Sequence, residues 1–202
     1  MKNVFAIAAV AALAGAATAQ DFTITAMAPA SVNPGETYTV DFWGAVDGGF
    51  VDGTSAIAGF GVDAMGSGSV AGVTAANIAG WAAGFGVAGT VNGANVEGIS
   101  GGQLANLFGI LNPGIDLSNP ILLFSIDVTA GASGSVTYVA GNPNVNGGLS
   151  FYPDNEDGAS IVAPNDSGTT LTMVSATTSI VPAPASIALL GLGGLVARRR
   201  RH

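Results

Sequence analysis

The interior of the sequence is a series of short segments in which apolar and polar residues alternate. The clearest are residues 37–43 (TYTVDFW), where Tyr38, Val40 and Phe42 share one face, and residues 120–130 (PILLFSIDVTA). Further runs occupy 23–27, 57–62, 135–140 and 169–175. A two-residue period predicts strands with one buried face, and the glycines, prolines and asparagines between the runs predict turns. We therefore expect an all-β, antiparallel β-sandwich of about seven to nine strands.

Two stretches depart from the strand pattern. Residues 74–81 and 101–108 (GGQLANLF) each predict a helical turn or two, the second with Leu104, Leu107 and Phe108 on one side. Residues 176–180 follow the last predicted strand and are expected to be a linker. The sandwich domain is thus predicted to span 20–175, with targeting segments at 1–19 and 181–202.

The charges are separated along the chain. The five basic residues are Lys2, Arg198, Arg199, Arg200 and Arg201, whereas all 13 acidic residues lie between Asp21 and Asp166. The interior therefore carries a formal charge of 0 − 13 = −13. Nucleic-acid binding depends on Lys and Arg side chains that neutralise phosphates. This charge distribution excludes nucleic acid as a partner and favours basic partners or divalent cations.

The first 19 residues have the three parts of a secretory signal. Lys2 supplies the positive end, residues 4–13 (VFAIAAVAAL) form the apolar helix-forming region, and Ala17 and Ala19 provide the small residues that signal peptidase reads. The pattern predicts cleavage between Ala19 and Gln20. The chain has no cysteine, so neither disulfides nor thiol chemistry is available to it.

The last 22 residues also divide into three parts. Val181, Pro182, Ala183, Pro184, Ala185 and Ser186 precede eleven apolar residues (187–197) and then Arg198 to Arg201. A helix of that length spans about 16 Å, and a membrane span needs roughly 20 apolar residues. The arginines are expected to stop transfer on the cytoplasmic side. The tail therefore predicts a transient inner-membrane anchor.

This order of parts resembles the PEP-CTERM sorting signal, in which a Pro-Glu-Pro-type motif precedes a hydrophobic helix and a C-terminal arginine cluster. The resemblance implies that an exosortase recognises 181–186 and cleaves near Pro182-Ala183-Pro184. It also implies that the protein passes from the inner membrane to the cell surface or extracellular matrix. Ala183 stands where the commoner motif has glutamate, so the Val-Pro-Ala-Pro tail is a variant of the motif.

The interior resembles cohesin-like and related carbohydrate-binding β-sandwiches. The similar segments are the opening turn and strand at 33–42 (NPGETYTVDF), a following strand at 58–62 (AGFGV) and the long strand and hairpin at 122–137 (LLFSIDVTAGASGSVT). This resemblance implies a role in adhesion or in carbohydrate or protein binding. Trp43, Trp81, Tyr138 and Tyr152 are the aromatic side chains on which a sugar could stack.

One acidic turn has the composition of a metal site. Asp154, Glu156 and Asp157 fall in the run DNEDG (154–158), and calcium binds oxygen ligands in acidic loops that contain a glycine turn. The register of an EF-hand is absent, because Gly158 is the fifth residue of the run. A calcium site and a solvated acidic turn are therefore both open interpretations, and no other cofactor is expected.

The remaining motifs favour a protein without catalytic activity. Residues 84–89 match G-x-G-x-x-G, but the turn-rich sequence that follows predicts no helix for a dinucleotide site. Residues 166–168 (DSG) predict a turn, since an aspartic-protease site needs a second such loop. The one histidine is His202, in the tail that is expected to be cut off, so histidine-dependent nucleophilic mechanisms lack their base.

These observations predict an exported cell-surface or matrix protein with a structural or adhesive role. Its expected partners are signal peptidase, an exosortase, and an extracellular polysaccharide or surface protein. A cohesin-like carbohydrate- or protein-binding module is the first alternative. A small carboxylate-dependent hydrolase is the second, because glycosidases need only two carboxylates.

Overall fold

The computed structural model describes residues 19–144, 146–157 and 160–181. Most of the predicted signal peptide, the sorting motif beyond Val181, the hydrophobic segment and the arginine cluster lie outside these residues. The two predicted flanking helices therefore also lie outside them. No helix in the described ranges is long and apolar enough to cross a membrane.

The described residues form thirteen strands and a few short 3₁₀ turns. In chain order the strands are β1 (Gln20–Met27), β2 (Ser31–Val32), β3 (Thr37–Asp47), β4 (Ala56–Gly68), β5 (Val70–Val73), β6 (Asn77–Ile78), β7 (Val87–Asn92), β8 (Asn95–Gly102), β9 (Ile121–Ala130), β10 (Gly134–Gly141), β11 (Leu149–Tyr152), β12 (Thr169–Val174) and β13 (Ala176–Ile180). The 3₁₀ turns are Gly80–Phe85, Leu107–Gly109 and Asn146–Gly148.

The strands build two sheets that pack face to face. The six-stranded sheet has the order β12-β1-β3-β9-β5, with β6 also paired to β9. The seven-stranded sheet has the order β2-β13-β10-β4-β8-β7, with β11 also paired to β4. The predicted β-sandwich is thus confirmed. It has more strands than predicted, and two of its pairs, β1–β12 and β13–β2, are parallel rather than antiparallel.

A column of phenylalanines joins the two sheets. Alternation in β3 places Tyr38, Val40 and Phe42 in the core, as predicted. Phe42 stacks on Phe124 of β9 at a centroid distance of 4.4 Å, and Phe124 lies 5.7 Å from Phe60 of the opposite sheet. Offset aromatic contacts of this kind add to the free energy gained from burying the rings. The core therefore lies between β3 and β9 on one side and β4 on the other.

The predicted linker at 176–180 is wrong, because these residues are strand β13 of the seven-stranded sheet. Thr178 and Ile180 are buried, and the Thr178 hydroxyl donates to the carbonyl oxygen of Pro29 at 2.8 Å. The segment has only five residues, three of them Thr or Ser, so its sequence shows no alternation of apolar and polar residues that would predict a strand. Its pairing with β10 and β2 supplies the backbone hydrogen bonds that order it. The folded domain therefore extends through Ile180.

The helical turns predicted at 74–81 and 101–108 are also wrong in most positions. Gly101 and Gly102 end β8 and pair with Phe60 and Gly59 of β4, so their backbone groups bond across strands rather than along a helix. Residues 77–78 are β6, and the 3₁₀ turn begins only at Gly80. Phe108, predicted to share a helix face with Leu104 and Leu107, is instead exposed to solvent.

Tyr138 of β10 is buried against β4 and bonds to the turn between β7 and β8. Its ring lies over Gly66, the residue opposite it on β4, and its hydroxyl donates to the carbonyl oxygen of Ala94 at 2.8 Å. Burial raises the pKa of Tyr138 to about 12, with a further contribution from nearby Tyr38. The side chain is 1% exposed, so Tyr138 is a core residue and not a platform for a ligand.

Candidate binding surfaces

The segment 103–120 covers part of the outer face of the seven-stranded sheet. Its apolar side chains pack against that face in a small second core, separate from the one between the sheets. The members of this second core are Ala56, Ala58, Ala105 and Tyr152, with Leu107, Ile115 and Leu117 packed against them. Tyr152 is therefore buried, and burial raises its pKa above the ordinary value. Like Tyr138, it is not a stacking platform.

Gln103 fastens this segment to the sheet. Its Nε2 donates to the carbonyl oxygens of Ile57 at 2.9 Å and Asp116 at 2.8 Å, and its Oε1 accepts from the backbone N–H of Asp116 at 2.9 Å. The Gln103 side chain is buried, and these hydrogen bonds replace the ones its amide would make with water. The amide therefore stabilises the segment, whereas an unbonded buried amide would cost desolvation free energy. Residues 103 and 116 are thus held together, and the residues between them form a loop.

The tip of that loop presents large apolar side chains to solvent. Phe108 is 85% exposed, Ile110 79% and Leu111 56%. We call these three residues the apolar tip. Phe108 has a φ of 57°, a left-handed conformation that costs a bulky residue about 1–2 kcal/mol. A structure that holds an exposed aromatic residue in strained backbone is consistent with a contact made through that residue.

A groove of about 300 Å³ lies beside the loop. Exposed Phe85, Leu104 and Ile161 are among its walls, and Gly59 and Gly102 lie opposite each other in its floor. A Cβ atom on Gly59 would lie 2.9 Å from the carbonyl oxygen of Gly101, so the close approach of β4 and β8 requires glycine there. We call the apolar tip and this groove together the apolar surface.

The acidic turn at 154–157 borders the apolar tip, because the backbone N–H of Phe108 donates to the carbonyl oxygen of Glu156 at 3.2 Å. Oδ1 of Asp154 accepts from the backbone N–H groups of Glu156 and Asp157 at 2.9 and 3.4 Å, which closes the turn. Among the described residues no three His, Cys, Asp or Glu side chains are grouped as metal ligands. Gly158, which ends the run, lies outside the described residues, so the calcium site and the solvated acidic turn both stay predictions.

Trp43 and Trp81, the other two predicted platforms, are partly exposed and line one groove on the six-stranded sheet. The G-x-G-x-x-G match at 84–89 covers the end of a 3₁₀ turn and the start of β7, so a strand follows it and not the helix of a dinucleotide site. Asp166 closes a turn, as predicted, by accepting from the N–H of Ala163 at 2.8 Å.

No protein-family model matches the sequence, and no curated protein matches it either. Among solved structures the fold is similar to the second type II cohesin module of the adaptor scaffoldin ScaA of Acetivibrio cellulolyticus. The identity is 11% and the TM-score 0.51, over 83% of this chain and 95% of that module. The two proteins share a fold. The expected cohesin-like β-sandwich is thereby confirmed as an architecture.

Two further cohesin modules give lower scores. The sixth cohesin of scaffoldin B from Acetivibrio cellulolyticus, solved in complex with a variant Cel5 dockerin, has 9% identity and a TM-score of 0.49, over 81% of this chain and all of that one. A cohesin module from a family 33 glycoside hydrolase of Clostridium perfringens has 11% identity and a TM-score of 0.47, over 80% of this chain and 98% of that one.

The sequence did not indicate the apolar surface. Phe108, Ile110 and Leu111 fall between Asn106 and the turn residues 112–114, where strand alternation has stopped. The available signal was a run of four residues without charge or alternation, FGIL at 108–111, next to a turn. Such a run is equally compatible with a buried strand, and only the packing of Leu107 shows which side chains face inward.

Proposed function

We propose that residues 20–181 form a non-catalytic protein-binding module. The observation that carries the proposal is the apolar tip, three large apolar side chains exposed on a loop that Gln103 fixes to the sheet. Contiguous exposed apolar residues on a soluble domain are typical of interaction sites. A loop ordered before binding loses little conformational entropy when a partner docks on it.

The charge around the apolar tip restricts the partner. Asp154, Glu156 and Asp157 lie in the adjoining turn, and the described part of the chain has no Lys or Arg to balance them. A protein segment with apolar side chains flanked by Lys or Arg would complement both features. An acidic partner would meet like charge at the rim of the surface.

The residue inventory supports a module without catalytic activity. The described ranges contain no His, Cys, Lys or Arg, which removes the usual nucleophile–base and covalent-lysine mechanisms. The main role predicted from the sequence was structural or adhesive. The cohesin fold and the apolar surface favour the binding-module alternative over it.

Site-specific photo-crosslinking in the producing cells tests the binding proposal. Benzoylphenylalanine replaces Phe108 in the full-length protein and, as a matched control, replaces Met27, which is 56% exposed on β1 of the other sheet. We expect one dominant protein adduct from position 108, reduced at least about tenfold by Ile110→Asp. Equal adducts from both positions, or an adduct that Ile110→Asp leaves unchanged, would refute the apolar surface as the binding site.

The proposal includes export and sorting. Signal peptidase would cleave between Ala19 and Gln20, and an exosortase would process the tail that begins at Val181, delivering the module from the inner membrane to the cell surface or matrix. In support, β1 begins at Gln20 and β13 ends at Ile180, so both cleavages would fall outside the folded strands.

Mass spectrometry of the protein released from the cell surface tests the sorting step. We expect an N-terminus at Gln20 and a C-terminus that lacks Arg198 to Arg201. A surface form that still ends in His202 would refute the processing of the tail. The crosslinking result does not depend on this outcome, because it reports on the apolar surface alone.

A further inference from the structure

The two tryptophans of the chain are far apart in the sequence, but both line one groove and both contact Leu122. Trp43 is the cross-strand partner of Leu122 on the outward face of β3, and Nε1 of Trp81 donates to the carbonyl oxygen of Leu122 at 2.6 Å. The groove has a volume of about 240 Å³, and its walls also include Asp116 and Ser118. This site is distinct from the apolar surface, which shares none of these side chains.

The walls of the groove are fixed by hydrogen bonds outside it. Oδ1 of Asn119 accepts from the N–H of Val46 at 3.0 Å, and its Nδ2 donates to the carbonyl oxygen of Val46 at 2.7 Å. The backbone of Asp116 makes the two bonds to Gln103 described above. On the other side, the ring of Trp81 packs against Phe60 of the main core at 6.1 Å. The groove is therefore formed before any ligand enters.

Polar atoms remain available at this groove. Oδ1 of Asp116 accepts from the N–H of Ser118 at 2.9 Å, whereas within the described ranges no donor bonds to Oδ2. Ser118, which also lines the groove, is exposed. A ligand can thus bond to a carboxylate oxygen and a hydroxyl while it packs on the indole rings.

We propose that this groove binds a neutral pyranose unit of a polysaccharide. A pyranose ring has an apolar C–H face that fits an indole and a rim of hydroxyls that can donate to a carboxylate oxygen. A purely apolar occupant would leave Oδ2 of Asp116 without a partner, which costs desolvation free energy. An anionic sugar would enter the field of 13 carboxylates in a part of the chain, residues 20–181, that contains no Lys or Arg.

Tryptophan fluorescence of the full-length protein provides the test, because Trp43 and Trp81 are its only tryptophans. The probes are the hexasaccharides of cellulose, laminarin, mannan and xylan, with hexaguluronate as the anionic control. We expect a saturable change in emission with at least one neutral probe and none with hexaguluronate. Isothermal titration calorimetry measures the affinity of the responding sugar.

Two variants locate the binding. Trp43→Ala and the isosteric Asp116→Asn are each expected to weaken that affinity about tenfold, with the far-UV spectrum unchanged. Phe108→Ser, on the apolar surface, is expected to leave it unchanged. No response to any neutral hexasaccharide, equal affinity for hexaguluronate, or full affinity in both groove variants would overturn the proposal. None of these outcomes bears on the crosslinking at position 108.

Discussion

Gly66→Ala tests the packing of the Tyr138 ring against β4. Gly66 lies on β4 directly opposite Tyr138 of β10, and the tyrosine ring occupies the space where a side chain would be. A Cβ atom at position 66 would lie 2.6 Å from Cζ and 2.7 Å from Cε1 of that ring. It would also press on the carbonyl oxygen of Ala94, the acceptor of the Tyr138 hydroxyl. The ring therefore has to move, and its hydrogen bond moves with it.

The free-energy cost has two parts. Overpacking a well-filled core costs about 1–3 kcal/mol, and loss of the hydrogen bond from Tyr138 costs about 1 kcal/mol. Alanine offsets about 0.5–1 kcal/mol of this cost, because an unfolded chain with alanine at a strand position loses less conformational entropy on folding than one with glycine. We expect Gly66→Ala to lower the free energy of unfolding by about 2–3 kcal/mol and the melting temperature by about 4–12 °C.

Gly72→Ala is the matched control. Gly72 is also in a strand without a positive φ, and the nearest atoms to its added Cβ are those of Thr129 at 3.9 Å. This variant is expected to be neutral or slightly stabilising. Urea denaturation and thermal melts followed by circular dichroism measure both variants. Equal changes at positions 66 and 72 would refute the steric argument, as would an unchanged cost of Gly66→Ala in a Tyr138→Val background.

Burial raises the pKa of all three tyrosines, that of Tyr138 to about 12, so the folded state favours the neutral phenols. The tyrosines should therefore contribute their full stabilisation below pH 10, and the free energy of unfolding should fall as the pH rises from 10 towards 12. Absorbance at 295 nm follows the titration, and urea midpoints at pH 9 and 11 measure the loss of stability. Tyr138→Phe should make this loss smaller. A chain ended after Ser175 should lose cooperative unfolding, whereas one ended after Val181 should retain it in a calorimeter. Gln103→Leu should lower the free energy of unfolding by about 2–3 kcal/mol, because it removes the bonds to Ile57 and Asp116. The loosened loop should be cleaved by chymotrypsin within 104–111 about tenfold faster, which gel analysis of timed digests would measure.

The strands that could be predicted from the sequence are those whose burial is one-sided. In β3 and in the second half of β9, every second residue faces the core, and the alternation is visible without the partner strands. β13 also buries alternate residues, Thr178 and Ile180, but Thr178 is polar, so the sequence shows no apolar alternation there. Its order depends on pairing with β10, some 40 residues earlier, which no local pattern records.

The binding surfaces were predictable in residue type but not in grouping. From the sequence, Trp43, Trp81, Tyr138 and Tyr152 were all predicted as surfaces on which a sugar could stack. The fold distinguishes the two tryptophans from the two tyrosines. Both tyrosines are buried, one in each core, while β9 brings the two indoles together at Leu122. Which side chains of the 103–120 segment face outward is decided by Gln103, whose bonding partner Asp116 is 13 residues away.

The C-terminal strands also constrain when this domain can fold. β12 completes one sheet by pairing with β1, where Thr170 bonds to Asp21 across 149 residues of sequence, and β13 then enters the other sheet between β10 and β2. Residues 169–180 are thus needed by both sheets. Pairings between such distant segments carry a large loop-closure cost and form slowly. The six-stranded sheet cannot be completed until residue 174 has left the ribosome, and the seven-stranded sheet not until residue 180 has. The complete fold therefore forms only late in synthesis, and a chain that has not yet folded is one that can be threaded across a membrane.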